Sequence, residues 1–468
     1  MLLYIYHIFK ALRPAFSRER AWILGCSVIL GFIGCWEMAG VSSFCRFWGL
    51  NDKGYLALLH FFRANSWQHD VLMQYWCRFV LGQSVAVEVE GRLVMITDHS
   101  LVTQDGRHMP GVVSLHQESE TQSKPGYFRG HCWGVLGLLV GSMQRCFCLP
   151  VTAQIDQGHV HLGAGKPKDT LAERPVQMAL DFAVTHQRHL WLILDAYFSV
   201  SPVFERANSV FDAESEPWVE ILTKAKKGYV AYPWSQGEKG DKITLEEVFD
   251  AQPFLEASCR VYGKEETVAY RVQNLLWQNR LIRFVWVKNS LGRMTLMSSD
   301  LSLEPLRAIE LYCTRMRIES AFDRLKNLLK AFEYHFWTPS LPRHSRRPKK
   351  NKDLQPPESL EARVLVKRCW RAYERFVALG CVALGILQLM ALKFPQQILD
   401  QFQQFLRTPP RGIPSEGVVK VVLANLLQEQ FGRVTPGATL GRIHANFEQA
   451  GFYWQNTTAE TQELCDSA

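Results

Sequence analysis

"IELYCTRMRIESAFDRLKNLLKAFEYHFW", residues 309–337, carries a phenol, a guanidinium, a carboxylate and an ammonium at Tyr312, Arg315, Glu319 and Lys326. At about 100° per residue these four fall within an arc of roughly 60° on a single helix. Leu311, Ile318, Phe322, Leu325 and Leu329 form an apolar stripe beside that arc, suited to packing on a sheet. The polar four therefore border the buried face instead of opposing it. A salt bridge between Arg315 and Glu319 at i, i+4 is the plain structural explanation. A functional one depends on what the rest of the chain brings to the same face.

Upstream of this segment the hydrophobic period changes. "SVAVEVEGRLVMITDHS" predicts a hairpin whose second strand runs into Asp98, and "LWLILDAYFS" (190–199) a fully buried strand ending at Asp195. "HCWGVLGLLVG" (131–141) and "RCFCLPVTAQI" (145–155) are two more runs of strand length. "TLAERPVQMALDFAVTH" (170–186) reads as a helix and "VEILTKAKKGYVAY" (219–232) as a further strand. Three strands, a helix, a strand, a helix and a strand predict an α/β layer arrangement with a mixed sheet. Residues 234–305 read as strands linked by turns, with "NSLG" as one hairpin turn, and so predict a β-rich block before the opening helix. Residues 1–80 read as helical. "GVSSFCRFWGL" (40–50) and "YLALLHFFRANSW" (55–67), joined by "NDKG", suit a helix-turn-helix and an ordinary helical hairpin equally. "VLVKRCWRAYERFVALGCVALGILQLMAL" (364–392) is a long helical run, and the tail with "PSEGVVKVVLANLLQEQF" is mostly helical.

With 468 residues, 47% hydrophobic and 21% charged, the chain has the composition of a globular protein with a sizeable core. Its net charge of +8 favours an anionic partner. The excess is clustered in "RHSRRPKKNK" (343–352) and "KAKKG" (224–228). For the first cluster a solvated linker and a phosphate contact are both open. Twelve cysteines are scattered without a C-x-x-C pair, and Cys146 and Cys148 share one face of a strand as small apolar residues. That predicts neither a zinc site nor a disulfide framework, and a reducing cytoplasm. "AWILGCSVILGFIGCW" (21–36) has sixteen uncharged, mostly apolar residues. This is short of the roughly 18 to 20 that span a bilayer, so it predicts a buried core helix, with a membrane-anchored protein as the competing reading.

The two aspartates have a common setting, directly after apolar strands. A carboxylate there is costly unless paired or bound to a cation, and open α/β sheets collect functional groups at the carboxyl ends of their strands. Helix capping is the ordinary alternative. Joined by Glu319 on a helix that packs on the same sheet, two Asp and one Glu can hold a pair of hard cations about 4 Å apart, as in-line displacement at phosphorus requires. Neighbouring Arg and Lys then suit phosphate oxygens, Arg as a fork and Lys as a point charge.

The spacing Tyr312, two residues, Arg315, three residues, Glu319, six residues, Lys326 resembles the tyrosine–arginine–glutamate–lysine (YREK) signature of a large group of bacterial insertion-sequence transposases. "DLSLEPLRAIELY" is similar to that group's lead-in to this helix. "ITDHS" and "LILDAYFS" stand in the places of its two aspartates, and "GRHMPGVVSLHQESETQSKPGYFRGHCWG" also looks like such transposases. Thr97 stands where many members have a second acid, and Asp105 and Asp300 compete for the first position, though both read as turn or capping residues.

The resemblance implies a DDE transposase with a ribonuclease-H-like core interrupted by a β-strand insertion. It divides the chain into a helical DNA-binding region (1–80), the first part of the core (81–233), the insertion (234–305), the glutamate helix (306–340), and a basic linker with a helical C-terminal region (341–468). It implies Asp98, Asp195 and Glu319 as catalytic ligands of two Mg²⁺ ions, with Mn²⁺ as a substitute, and Tyr312, Arg315 and Lys326 as contacts to transposon-end DNA. Trp277 and Trp286 are expected in the core, or stacked on an extruded base as in some relatives. Partners would be double-stranded DNA, both element ends and target, and a second copy of the chain in a synaptic dimer. The setting would be the bacterial cytoplasm at the nucleoid, with no membrane. A non-catalytic DNA-binding derivative that kept the fold is the alternative.

Overall fold

Glu90 and Gly91 both lie at positive φ, 53° and 74°, and turn the chain between β1 (Glu88–Val89) and β2 (Arg92–Thr103) in the computed structural model. This backbone matches the twist of a tight hairpin. The structure describes residues 1–431 except Ala39, 117–125, 164–168, Gln252, His344, 346–353 and 407–411. Most of the basic run 343–352 and the end of the tail therefore lie outside the described residues.

β2 carries five buried residues in succession, Leu93 to Thr97, because it is central and covered on both faces. It pairs antiparallel with β4 (Tyr127–Gly141) and parallel with β6 (Leu190–Ile193). β3 (Val113–His116) and β5 (Cys146–Ile155) both pair antiparallel with β4. α6 (Glu173–His186) leads into β6, and α7 (Ser201–Ala207) lies between β6 and β7 (Val219–Lys224), which is parallel to β6. Consequently β2, β5, β6 and β7 all point their carboxyl ends toward one edge. The result is α/β, with a mixed sheet flanked by helices, as the pattern of apolar runs predicts.

The β-rich stretch contains the short pairs β8 (Val230–Ala231), β9 (Trp234–Ser235), β10 (Glu238–Lys239) and β11 (Ile243–Thr244), then the four-residue α8 (Val248–Ala251). The meander β12 (Leu255–Val261), β13 (Lys264–Trp277), β14 (Arg280–Asn289) and β15 (Gly292–Ser298) follows. It does not stand apart. β15 pairs antiparallel with β7, so the main sheet runs β12-β13-β14-β15-β7-β6-β2-β4-β3.

Five helices precede the sheet: α1 (Leu2–Leu12), α2 (Glu19–Gly34), α3 (Val41–Trp48), α4 (Asp52–Arg63) and α5 (His69–Leu81). Gly49 in the left-handed region ends α3, and the Asn51 side chain caps α4. After the sheet come α9 (Pro305–Cys313), α10 (Met316–Asp323), α11 (Leu360–Lys393), α12 (Pro395–Gln401) and α13 (Glu416–Phe431). α6 lies against β4 at Gly134 on one face of the sheet, and Ile318 of α10 reaches Gly137 on the other. One cluster of buried side chains runs from Ile5 in α1 to Leu427 in α13. α2 is a core helix of sixteen residues, twelve of them buried. Among the described residues, α11 alone is long and apolar enough to cross a membrane, and 89% of its most apolar window is buried inside the protein.

Four expected elements differ. The strand expected over 219–232 ends at Lys224, and Val230–Ala231 pairs instead with β11 in a separate two-stranded sheet. The strand beginning at Leu190 stops at Ile193 and gives way to a 3₁₀ turn, Ala196–Phe198, capped by Asp195. β2 does not end at Asp98; it continues to Thr103 paired with β4, and only its parallel pairing with β6 stops at Ile96. The single helix expected over 309–337 is broken. The Thr314 amide and hydroxyl both donate to Leu311 O, and Arg315 and Arg317 donate three residues back to Tyr312 O and Thr314 O. Such bonding tightens the turn and separates α9 from α10. A π-helical turn, Arg324–Leu328, then ends the segment.

Candidate functional site

The edge where β2 and β6 diverge is where the predicted site residues meet. The parallel pairing of the two strands ends at Ile96 and Ile193, and Asp98 and Asp195 each follow two residues beyond it. Asp98 lies on β2 opposite Val135, with Oδ1 accepting from the His99 amide at 2.7 Å. Asp195 follows β6 and accepts from the Tyr197 amide at 2.9 Å. It is both a helix-capping residue and a member of this cluster.

Arg315, at the junction of α9 and α10, reaches Asp98 Oδ2 at 3.6 Å and Glu319 Oε1 at 3.4 Å. The salt bridge expected within the helix therefore exists, but the same guanidinium also answers a strand carboxylate. Burial first, then the charges of Asp195 and Glu319, push the Asp98 carboxyl up to about 7, against the His99 amide and Arg315. Burial also raises Asp195, against its amide donors and Arg315. For Arg315 burial works the other way, yet Tyr312, Asp98, Glu319 and Asp195 together keep its pKa above the ordinary value. Three carboxylates thus share one cation, and the imbalance falls mainly on Asp98.

The remaining signature residues turn inward. Tyr312 is only 6% exposed, its phenol raised by burial, with Arg315 and Asp195 both close enough to act on it. Lys326 sits in the π-helical turn with Nζ donating to Leu101 O at 3.4 Å, three residues beyond Asp98 on the same strand. Glu319 is the open member, its side chain 49% exposed.

Sequence reasoning missed a pair on the opposite face. His99, next to Asp98 on β2, donates from Nε2 to Asp156 Oδ2 at 3.0 Å, and Gln154 donates to Asp156 Oδ1 at 2.9 Å. The His99 ring stacks on Phe198, with centroids 5.5 Å apart, in the turn that Asp195 caps. Asp156 is buried, and a Cβ at Gly134 would overlap its carboxylate. The pair braces the segment carrying Asp98 against the one carrying Asp195. A signal was present: "VTAQID" is a third apolar run ending in aspartate, and β5 points to the same edge as β2 and β6.

The competing acids have local roles. Asp300 accepts from the Ser302 amide and hydroxyl at 2.7 and 2.6 Å, a turn. Asp105 follows the end of β2 and acts on Arg129. Trp277 packs against Phe204 and Tyr229, and Trp286 is buried with its indole donating to Leu245 O. Both belong to the core. Cys146 and Cys148 are buried together on β5, as expected.

The donor set of Asp98, Asp195 and Glu319, hard carboxylate oxygens with unmet charge, is chemically suited to a divalent cation such as magnesium. Among the described residues no group of three or more His, Cys, Asp or Glu is arranged to hold a metal ion as placed, and Arg315 supplies the positive charge instead. No protein-family model matches the chain, and no curated protein matches it.

Proposed function

We propose that this chain is a DDE transposase that binds the terminal inverted repeats of its element, cuts the DNA and joins it to a target. The observation that carries the reading is the convergence of Asp98, Asp195 and Glu319 on Arg315, within the Tyr312–Arg315–Glu319–Lys326 spacing. The sheet supports a ribonuclease-H-like core. Its central strands lie in the order β5-β4-β2-β6-β7, three antiparallel followed by two parallel, with α6 and α7 in the connections. The meander β12–β15 comes between β7 and the glutamate helix, where an insertion belongs.

In this reading Asp98, Asp195 and Glu319 would be the residues that hold two magnesium ions, or manganese in their place, and Glu319 would leave Arg315 to do so. Bound metal would supply the Lewis acidity that activates the attacking oxygen and stabilises the departing one. Arg315, freed from the carboxylates, binds phosphate oxygens of the scissile strand, with Lys326 as a second positive charge and Tyr312 orienting the guanidinium. Water attacks the phosphorus, the bond to the 3′ oxygen breaks, and the element end keeps a free 3′-OH. That hydroxyl then attacks a phosphodiester of the target and releases a target 3′ oxygen in turn. Two copies pair two ends, in the bacterial cytoplasm at the nucleoid and without a membrane partner. The burial of α2 and of the apolar stretch of α11 is in keeping with this.

One observation favours a second reading, a non-catalytic DNA-binding derivative: Arg315 already neutralises part of the carboxylate cluster. A strand-cleavage assay on linear DNA carrying the element's ends separates the two. Mg²⁺-dependent cleavage that is lost in Asp195→Ala supports the transposase. Binding without cleavage by the intact protein supports the derivative.

A further inference from the structure

A groove of about 1310 Å³ runs between the start of α2, the length of α4, residues 337–340 and the first turns of α11. Its lining includes Arg18, Arg20, Lys53, His60, Arg63 and Arg368, and no Asp or Glu. All six are exposed. On α4, Lys53, Leu56, His60 and Arg63 recur at helical spacing, so one stripe of that helix faces the groove. The acids nearest in sequence, Glu19 and Asp52 in the first turns of α2 and α4, stand outside the lining. Trp337, 59% exposed, forms an apolar lip.

We infer that this groove binds the phosphate backbone of duplex DNA. Cations on several walls with no lining acid make a site for a polyanion, where displacement of counterions drives binding. The walls follow a backbone rather than enclose a small molecule, and Trp337 offers a face for deoxyribose or an end base. The inference rests on the transposase reading, and it adds which surface grips the DNA and how that grip reaches the catalytic strand. The Thr338 amide donates to His108 O, His108 Nδ1 bonds Leu341 O, and the Gln104 side chain donates to Phe332 O. Gln104 directly follows β2, the strand of Asp98, and Phe332 follows the glutamate helix. DNA seated in the groove would therefore rest on chain that continues from both sides of the carboxylate cluster.

The test measures full-length protein binding to a fluorescein-labelled random-sequence duplex of about three helical turns across a salt series. Lys53→Ala/Arg368→Ala, on α4 and α11, should weaken binding about tenfold or more and flatten the slope of log K against log salt by about 1.8, the loss of two phosphate contacts. Lys242→Ala/Lys264→Ala, exposed in the β-rich stretch, should leave both unchanged. The charge-reversed Lys53→Glu/Arg368→Glu should weaken binding further at an unaltered melting temperature. An unchanged affinity and slope in both groove variants overturns the inference, while metal-dependent cleavage by the same preparation would leave the transposase reading standing. A groove effect on binding together with cleavage that survives Asp195→Ala would keep the groove and remove the transposase reading.

Discussion

Two parts of this molecule bury charge, and they deal with it in opposite ways. In the helical layer Arg375, 1% exposed, donates to Phe62 O, Ala64 O and Trp67 O at 2.9, 2.5 and 2.6 Å, and Lys420, also 1% exposed, donates to Phe32 O, Cys35 O and Leu328 O. The first carbonyls in each set lie at the carboxyl ends of α4 and α2, groups that a helix leaves without partners and that carry its negative dipole end. Each cation meets an existing need. At the sheet edge the account does not close, since Asp98, Asp195 and Glu319 share Arg315 and the Asp98 carboxyl rises to about 7. In the helical layer backbone carbonyls hold the buried cations, although burial lowers the pKa of both and leaves Arg375 Nε without a partner; at the strand edge three carboxylates have one guanidinium between them.

The strongest way to break this contrast is Asp195→Asn. If the edge is catalytic, metal-dependent cleavage should fall by about a thousandfold or more, several kcal/mol of transition-state stabilisation, with the melting temperature unchanged or higher. Cleavage within tenfold of wild type would remove the catalytic assignment. Arg375→Met should behave in reverse. Three buried carbonyls lose their donor, so urea denaturation should show a loss of about 3 kcal/mol, while the folded fraction keeps its DNA affinity. A loss under about 1 kcal/mol would mean that Arg375 is dispensable to the helical layer.

The pH dependence sharpens the comparison. Asp98 titrates near 3.8 in the unfolded chain and near 7 in the folded one. Between those values the folded state holds a proton that the unfolded state has released, so this group's contribution to stability is full below about 4 and declines as pH rises through 7. Urea titrations at pH 5 and 7.5 should show that decline in the wild type and a flatter profile in Asp98→Asn. Magnesium should raise the melting temperature of the wild type at pH 7.5 and leave Asp98→Asn unmoved. An identical magnesium response in both proteins would show that Asp98 is not a ligand. The smallest effect is expected for Tyr312→Phe, which removes one hydroxyl beside Arg315. Cleavage should fall less than about tenfold, and a larger fall would make the phenol a direct partner of the substrate.

Much of this architecture was legible in the sequence because it is written in local periods. The β1–β2 hairpin, the paired runs that became β4 and β5, α6 and α11 all appear where alternation or helical spacing places them. The break at Thr314 was not legible, because the wheel that aligned Tyr312 with Lys326 treats every peptide as helical. A threonine hydroxyl competing for Leu311 O is a local event that the wheel ignores. The end of the strand at Ile193 was also misplaced, since "LILDAYF" stays apolar while Asp195 turns the backbone into a 3₁₀ cap.

By itself the sequence determined the residue types and their spacing: two aspartates after apolar runs, a glutamate on an amphipathic segment, and cations four and seven residues from it. Tertiary structure alone decided who meets whom. That β15 joins β7 and makes the β-rich stretch part of the sheet is a matter of strand pairing, which no local pattern encodes. That Asp156 lies behind His99, that Arg315 turns to Asp98, and that α4 and α11 open a basic groove depend on contacts between segments tens to hundreds of residues apart. The physical reason is range: hydrophobic period is set by neighbours in the chain, whereas the cost of a buried charge is settled by whichever groups folding brings within a few ångströms.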